Sequence, residues 1–252
     1  MEKSYTEQQQ ISYFEVDNNL YLTPSALVFH LQDTAIRHSD TLGYTLDYMA
    51  QHQRGWAVVN WHIIIEHMPK CGEDIKIVTW SSKCRRMQAE RSYLIYNSSG
   101  NICAKIASRW IFMDLEERKP TSIGEEMEQR YGNTTTVAIE NEKYTMPKLQ
   151  KEDTVTERTF VVTRRDTDNN GHTNNVKYIE WAIDDIPDDI YNTMTICDIR
   201  VVYRKECYKG DVVTSKCCVR TLENGIKEVI SFFEDGKGKG TLFAEVVTQW
   251  KH

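Results

Sequence analysis

The stretch RRDTDNNGHTNNVKYIEWAID holds carboxylates, amides and an imidazole at a spacing that could serve catalysis. Asp166, Asp168 and Asn170 stand at alternate positions, and a glycine and His172 follow them. Alternating oxygen ligands before a glycine also begin an EF-hand calcium loop. That loop needs a bidentate carboxylate at its twelfth position, which counted from Asp166 is the cation Lys177. The pattern therefore favours acid–base chemistry over calcium binding.

These residue types together suit the hydrolysis of an activated acyl group. Asp168 supplies a carboxylate that can act as base or nucleophile, and the imidazole of His172 can move a proton near neutral pH. Asn170 can orient water or substrate with its amide. A helix that begins near Asn174 or Asn175 offers free N–H groups and partial positive charge for a developing oxyanion.

A second short motif, YRKEC, adds Glu206 and Cys207, which a neighbouring strand could bring to the same place. The chain has no GxSxG motif, which marks the nucleophile elbow of serine hydrolases. We therefore expect water to be activated by carboxylate and imidazole. A buried cysteine is more often inert packing than a nucleophile, so the role of Cys207 stays open.

The chain contains a faint internal repeat. DNNLYLTPSALVFHLQD, from Asp17, aligns with DNNGHTNNVKYIEWAID, from Asp168, at an offset of 151 (168 − 17). Gly72 in KCGEDIKI aligns with Gly210 in YKGDVVTS, and AKIASRW aligns with AEVVTQW. Three echoes in the same order predict a duplicated domain.

The imidazole and the second carboxylate occur in only one copy of the repeat. At the position of His172 the first half has Tyr21, and at the position of Glu206 it has Met68. A requirement of the fold alone would be met in both halves. This asymmetry predicts a working site in the C-terminal half and a binding or supporting role for the N-terminal half.

The elements that must position these residues follow the same order in each half. A short strand comes first, SYFEV in the first half and RTFVVTR in the second, and a helix follows it. In the first half Thr23 can cap the helix, with Pro24 at its first position. In the second half Asn174 or Asn175 can cap it, and Pro187 lies beyond its end. The apolar residues at helical spacing are Ala26, Leu27, Leu31 and Ala35, then Val176, Ile179, Ala182 and Ile183. Long runs rich in β-branched and aromatic residues come next.

One helix followed by a meander of strands predicts an α+β fold in which an antiparallel sheet wraps a long helix, twice in tandem. We expect an N-terminal domain at 1–124, a linker at 125–153 and a C-terminal domain at 154–252. The linker is assigned to a polar segment that contains GNTTT and lacks a steady hydrophobic period.

The two motifs resemble a known signature. DTDNNGHTNNVKYIEW, with YRKEC downstream, looks like the active-site signature of the acyl-acyl carrier protein (acyl-ACP) thioesterases of plants and bacteria. RGWAVVNWHIIIEHMPKCGEDIKIVTW, followed by RSYLIYNSSGNICAKIASRWIFMDLEERKP, is similar to the N-terminal hot-dog domain of that family. The resemblance extends from about Tyr13 to Trp250. The shorter DxDxxGHxNNxxY pattern also resembles hot-dog thioesterases that act on acyl-CoA.

The resemblance implies tandem hot-dog domains that hydrolyse fatty acyl-ACP to free fatty acid and carrier protein, with no cofactor and no metal. By position, Asp168, Asn170 and His172 fall on the family's catalytic loop and Glu206 on its activating carboxylate. Cys207 matches a cysteine that has been proposed as a nucleophile there. Whether a carboxylate attacks directly or activates water stays open.

A carrier protein is acidic, so its docking requires local positive charge on this chain. Two stretches, SSKCRRMQAER and TRR, offer cations for that role, although each could equally be a solvated charge: Lys83, Arg85, Arg86, Arg91, Arg164 and Arg165. An acyl-CoA thioesterase and a non-catalytic acyl-thioester-binding protein remain as alternatives. Acyl chain length, saturation and branching do not follow from the sequence.

The bulk composition excludes several classes of protein. The chain has 252 residues, a net charge of −6 and 40% hydrophobic residues, so nucleic acid is not the expected partner. No apolar run is long enough to span a membrane, and the polar N-terminus does not resemble a signal peptide. Seven cysteines without a CxxC pair predict free thiols in a reducing cytoplasm. Both a monomer and a homodimer are compatible with tandem domains.

Overall fold

The computed structural model of the protein describes residues 3–140, 145–168 and 170–252. The chain divides into two compact units, Met1–Glu142 and Lys143–His252. Each unit has an antiparallel sheet with a helix packed against it, which confirms the α+β class. Within the described ranges, no helix is long and apolar enough to cross a membrane.

The sheet of the first unit has five main strands in the order β1-β3-β4-β5-β2, and a two-residue strand, β6, pairs with β5. The strands are β1 (Ser4–Gln10), β2 (Arg54–Ile65), β3 (Asp74–Arg85), β4 (Gln88–Asn97), β5 (Ile102–Asp114) and β6 (Lys119–Pro120). Side chains alternate between buried and more exposed along β3 and β5, as expected for strands with one face on a core.

The long helix of the first unit, α1 (Pro24–Thr41), begins as predicted. The Thr23 side chain accepts a hydrogen bond from the N–H of Ala26, and Pro24 occupies the first helical position. The predicted apolar positions are all buried, and they lie on the side of α1 that packs against the sheet. Two shorter helices, α2 (Leu46–Gln51) and α3 (Glu125–Tyr131), were not predicted.

The second unit repeats the arrangement with a shorter helix. Its strands run in the order β8-β11-β10-β9-β7. They are β7 (Val155–Val161), β8 (Thr195–Tyr203), β9 (Val212–Thr221), β10 (Lys227–Asp235) and β11 (Leu242–Lys251). Helix α4 (Asn175–Asp184) has 10 residues, against 18 in α1, and α5 (Asp188–Thr193) follows it. Of the predicted apolar stripe, Ile183 is half-buried and the other three residues are buried.

The first predicted strand, SYFEV, is wrong. Tyr13–Glu15 forms a 3-10 helix instead, and the edge strand of the sheet is the preceding polar segment Ser4–Gln10. Ser12 and Glu15 form a reciprocal capping box, and Phe14 is 96% exposed. Local capping bonds therefore outweigh the strand propensity of two aromatic side chains that have no core to enter.

The link between the units is shorter than the predicted 125–153 segment. Helix α3 lies within that segment, yet Met127 and Tyr131 are buried in the first unit against Phe112 and Ile123. Met146 packs into the core of the second unit beside Ile230. Polar residues between these buried positions hide the apolar period that would have identified α3.

Candidate active site

The loop that precedes α4 is shaped by the side chain of Asp168. Its Oδ1 accepts hydrogen bonds from the backbone N–H of Asn170 (2.8 Å) and of His172 (3.1 Å). The backbone N–H of Asp168 donates to the carbonyl of His172 at 2.8 Å, and Gly171 takes a positive φ of 78°. One carboxylate oxygen thus closes the loop, as aspartates commonly do in turns. The other, Oδ2, makes no hydrogen bond with the described residues.

The first unit contains the same loop. Oδ1 of Asp17 accepts from the N–H of Asn19 (2.8 Å) and of Tyr21 (3.0 Å), and the N–H of Asp17 donates to the carbonyl of Tyr21 (2.8 Å). Leu20 takes the positive φ of 65° at the position of the glycine. The repeat therefore extends to individual hydrogen bonds. Asp168 meets a requirement of the fold that Asp17 meets as well.

His172 and Glu206 approach each other in the second unit. Nδ1 of His172 lies 3.7 Å from Oε1 of Glu206, and their side chains are 25% and 50% exposed. An isolated backbone bridge between His172 and Tyr208 holds the loop beside the segment that follows β8. Glu206 therefore lies beside the loop, in the segment that follows β8 and not on a strand. The first unit has the corresponding bridge, between Tyr21 and Lys70, without an acid or an imidazole.

Tyr208 completes this cluster, and the sequence analysis missed it. Its hydroxyl donates to Oε2 of Glu206 at 2.6 Å, and its ring meets the His172 ring edge-on at 5.2 Å between centroids. The signal that could have found it is its place in the repeat, where Lys70 of the first unit aligns with Tyr208. The backbone role is the same at the two positions, so the difference between a lysine and a tyrosine points to a role of the side chain.

The N-terminus of α4 adjoins the loop. Asn174 is the N-cap residue, and its side chain accepts from the N–H of Val176 at 3.0 Å. Asn174 thus caps the helix, one of the two alternatives predicted. Asn175 is the first helical residue, and its N–H has no hydrogen-bond partner among the described residues. That N–H and the helix dipole provide local positive character where the loop ends.

Asn170 and Cys207 differ in how far they are available for chemistry. Asn170 is exposed, and its side chain makes no hydrogen bond within the described ranges. Cys207 is 1% exposed, and its carbonyl accepts from the N–H of Thr173 at 2.7 Å. Burial raises the pKa of the Cys207 thiol to about 11, so the thiol is protonated at neutral pH. A protonated, buried thiol is a poor nucleophile.

The predicted docking cations divide into exposed and buried groups. Four arginines are exposed and make no ion pair with the described residues: Arg85, Arg86, Arg164 and Arg165. Nζ of Lys83 lies 3.5 Å from Oε1 of Glu90. Arg91 is the exception: it is 6% exposed and donates to Nδ1 of His38 and to the hydroxyl of Thr79. Arg91 is therefore excluded from any docking surface.

Comparison with known families agrees with the fold. Residues 2–131 match the acyl-ACP thioesterase N-terminal domain, and residues 149–252 match the acyl-ACP thioesterase C-terminal domain. The chain therefore belongs to the acyl-ACP thioesterase family.

Its curated relatives include chloroplastic plant proteins. The chain is 27% identical over 221 residues to an acyl-[acyl-carrier-protein] hydrolase of Cuphea viscosissima, covering 83% of this chain and 53% of that protein. It is 27% identical over 217 residues to a palmitoyl-acyl carrier protein thioesterase of Cuphea hookeriana, covering 81% and 52%. It is 26% identical over 227 residues to an oleoyl-acyl carrier protein thioesterase of Arabidopsis thaliana, covering 84% and 63%. The chain thus spans between about half and two-thirds of these relatives.

Solved structures share the fold over almost the whole chain. A structure from Lactobacillus plantarum, described as a candidate oleoyl thioesterase, has a TM-score of 0.88 at 26% identity and covers 98% of this chain and 96% of that one. An acyl-ACP thioesterase from Bacteroides thetaiotaomicron gives 0.84 at 23%, covering 99% and 98%. The 12:0-ACP thioesterase from Umbellularia californica gives 0.86 at 22%, covering 99% and 94%. The predicted hot-dog fold is confirmed.

Proposed function

We propose that this protein hydrolyses the thioester of a fatty acyl-ACP to a free fatty acid and the carrier protein. The observation that carries the proposal is the approach of Glu206 to His172 in the second unit, beside the first turn of a helix. The equivalent positions of the first unit hold Met68 and Tyr21. An acid–base pair added to a duplicated framework is expected for a catalytic site.

The chemistry would proceed on the loop before α4. The thioester carbonyl lies at the helix N-terminus, where the N–H of Asn175 stabilises the developing oxyanion. His172 and Asn170 orient the carbonyl and the leaving sulfur. Asp168, through Oδ2, acts with Glu206 to remove a proton from the attacking water. The carbon–sulfur bond then breaks, the sulfur takes up a proton, and the fatty acid and the thiol leave.

Direct attack by a carboxylate is the alternative first step. It would form an anhydride with the acyl group, and water would then hydrolyse that anhydride. Single-turnover hydrolysis in ¹⁸O-labelled water separates the two routes. Attack by water puts label only into the fatty acid, whereas an anhydride intermediate can leave label in a protein carboxylate as well.

The first unit is proposed to bind the acyl chain and to be catalytically degenerate. Its support is the retained loop around Asp17, where Tyr21 and Met68 stand at the positions of His172 and Glu206. The interior of this unit is rich in large apolar side chains, including the fully buried Trp61 and Trp80. Apolar side chains suit contact with an aliphatic chain.

We propose docking of the carrier protein on exposed arginines. Arg164 and Arg165 begin the 3-10 turn just before the catalytic loop. Arg85 is the last residue of β3, and Arg86 follows it. Exposed cations that form no ion pair with the described residues suit an acidic partner, because their attraction to that partner is not neutralised there.

A bacterial cytoplasmic setting is proposed on two grounds. All seven cysteines are free thiols, which suits a reducing compartment. Two of the structures that match nearly the whole chain come from Lactobacillus plantarum and Bacteroides thetaiotaomicron. Fractionation of the native cells with an antibody against the protein tests this proposal.

The decisive experiment is release of free thiol by the purified protein from matched acyl-ACP and acyl-CoA substrates of several chain lengths. Higher kcat/KM on acyl-ACP supports the proposal and identifies the acyl chain. Higher kcat/KM on acyl-CoA would assign the protein to thioesterases acting on CoA esters. Binding of acyl-ACP without thiol release would mean a non-catalytic acyl-binding protein.

A further inference from the structure

The carboxylate of Glu206 is half-exposed, so its direction towards His172 depends on the contacts that hold it. A free glutamate side chain at a loop position samples several rotamers, and fixing it costs conformational entropy. One contact that the structure provides is the hydroxyl of Tyr208, which donates to Oε2 at 2.6 Å. The other oxygen, Oε1, is the one that lies 3.7 Å from Nδ1 of His172.

We propose that Tyr208 is a positioning residue that holds the Glu206 carboxylate against His172. The inference rests on the proposed function and deepens it by adding a residue to the same site. A hydrogen bond from a neutral hydroxyl to a carboxylate is charge-assisted and stronger than one between neutral groups. With Oε2 held by the hydroxyl, Oε1 is the oxygen that lies near Nδ1 of His172.

Tyr208 itself is anchored well enough to serve this role. Its backbone N–H donates to Oδ2 of Asp211 at 2.9 Å, and its carbonyl accepts from the N–H of Asp211 at 3.0 Å. The backbone bridge to His172 and the edge-on ring contact join Tyr208 to the imidazole directly. Tyr208 therefore contacts both the acid and the imidazole.

The first unit shows that this hydroxyl is not a requirement of the fold. Lys70 occupies the matching position, and its N–H donates to Oε2 of Glu73 at 3.0 Å, as that of Tyr208 does to Asp211. The Lys70 ammonium lies 4.8 Å from the centre of the Tyr21 ring. The backbone turn is thus kept with an entirely different side chain. Where methionine replaces the acid at the position of Glu206, lysine replaces the tyrosine at the position of Tyr208.

The test is Tyr208→Phe, which keeps the ring and removes only the hydroxyl. With acyl-ACP we expect kcat to fall about tenfold while KM and the melting temperature stay at wild-type values, because a single hydrogen bond to a reacting group is lost. In a Glu206→Ala background the same change should have no further effect on kcat, because no carboxylate remains to be held. Tyr21→Phe, at the matched loop of the first unit, is the control and should leave kcat unchanged.

Two results would overturn the inference while leaving the proposed function standing. One is wild-type kcat in Tyr208→Phe, and the other is an equal loss of kcat with and without Glu206. A wild-type protein that releases no thiol from any acyl thioester would instead overturn the proposed function, and the positioning role with it.

Discussion

His172 and Tyr21 occupy the same place in two loops that share their hydrogen bonds. Each donates its N–H to an aspartate Oδ1, accepts at its carbonyl from that aspartate's N–H, and forms a backbone bridge across to the segment after a strand. The backbone of the loop is therefore independent of whether an imidazole or a phenol projects from it. This independence allows each site residue to be tested against a matched position in the other unit.

The two functions of Asp168 can be separated by Asp168→Asn. The amide oxygen can still accept the two loop hydrogen bonds, so the melting temperature should stay close to wild type. Loss of the negative charge should lower kcat about a hundredfold, the usual size of a general acid–base contribution. Asp17→Asn is the control and should change neither quantity. Normal turnover in Asp168→Asn would restrict Asp168 to shaping the loop.

Glu206 and His172 should act as a unit. Glu206→Gln and His172→Ala should each lower kcat about a hundredfold. Nδ1 of His172 lies 3.7 Å from Oε1 of Glu206, so we expect the two side chains to act together. The kcat of the double variant should therefore be little lower than that of either single variant. Steady-state kinetics of the three variants on one acyl-ACP measures this coupling. Multiplying losses would mean that the two groups act independently.

Cys207 should be dispensable for catalysis. Burial raises the pKa of its thiol to about 11, so Cys207→Ala should keep kcat within about threefold of wild type between pH 6 and pH 9. Cys217, another buried thiol with its pKa raised to about 11 by burial, provides the control variant Cys217→Ala. Both should lose some stability from the small cavity created. A loss of kcat of a hundredfold or more in Cys207→Ala alone would restore the nucleophile hypothesis.

Charge reversal should weaken docking of the carrier protein without affecting the chemistry. Arg164→Glu with Arg165→Glu, and separately Arg85→Glu with Arg86→Glu, should raise KM for acyl-ACP about tenfold at low salt. A small acyl-pantetheine thioester should be hydrolysed as by wild type, and the difference should shrink as salt screens the charges.

The control for this reversal is Lys148→Glu with Lys151→Glu. These exposed lysines precede β7, at the opposite end of that strand from Arg164. The control should keep wild-type KM for acyl-ACP. An unchanged KM in one arginine pair would remove that pair from the docking surface.

The buried His38 should make the first unit sensitive to mild acid. Burial is the larger cause and the nearby charge of Arg91 the smaller one, and together they lower the pKa of His38 to about 3. Tyr5 stacks on its ring, and Tyr131 meets it edge-on. An unfolded histidine binds a proton below about pH 6.5. Stability should therefore fall as pH drops from 6.5 towards 3, by about 2 kcal/mol between pH 7 and pH 5.

The variant that measures this effect is His38→Asn, whose amide oxygen can replace Nδ1 as the acceptor for Arg91. Urea denaturation at pH 7 and pH 5 should show a smaller loss of stability in the variant than in wild type. His52→Asn, at an exposed position stacked on Tyr48, should keep the wild-type pH dependence. Equal pH dependence in His38→Asn and wild type would contradict the assignment.

The loops and the long strands could be predicted because their signals are local. Asp17 and Asp168 mark the turns by side-chain bonds to neighbouring N–H groups, and β-branched runs mark the central strands. The edge strand Ser4–Gln10 could not be predicted, because polar residues there pair through the backbone with β3, which is distant in sequence.

The misassigned side chains share a different cause. Arg91 appeared to be a docking cation because it lies in a charged stretch, but its acceptor, His38, is 53 residues away. The Tyr208 hydroxyl donates to Glu206, which is only two residues away. At a turn, however, the directions of the side chains depend on the bends of the backbone. Spacing along the chain does not determine those directions.

The shared loop also bears on how such a protein could arise. A gene encoding a single unit, once copied in tandem, carries two loops whose main-chain bonds need only an aspartate and a residue that tolerates positive φ. Changes at a few codons, at the positions of His172, Glu206 and Tyr208, could then give one copy its chemistry without refolding it. The other copy could drift to Tyr21, Met68 and Lys70 and keep its architecture.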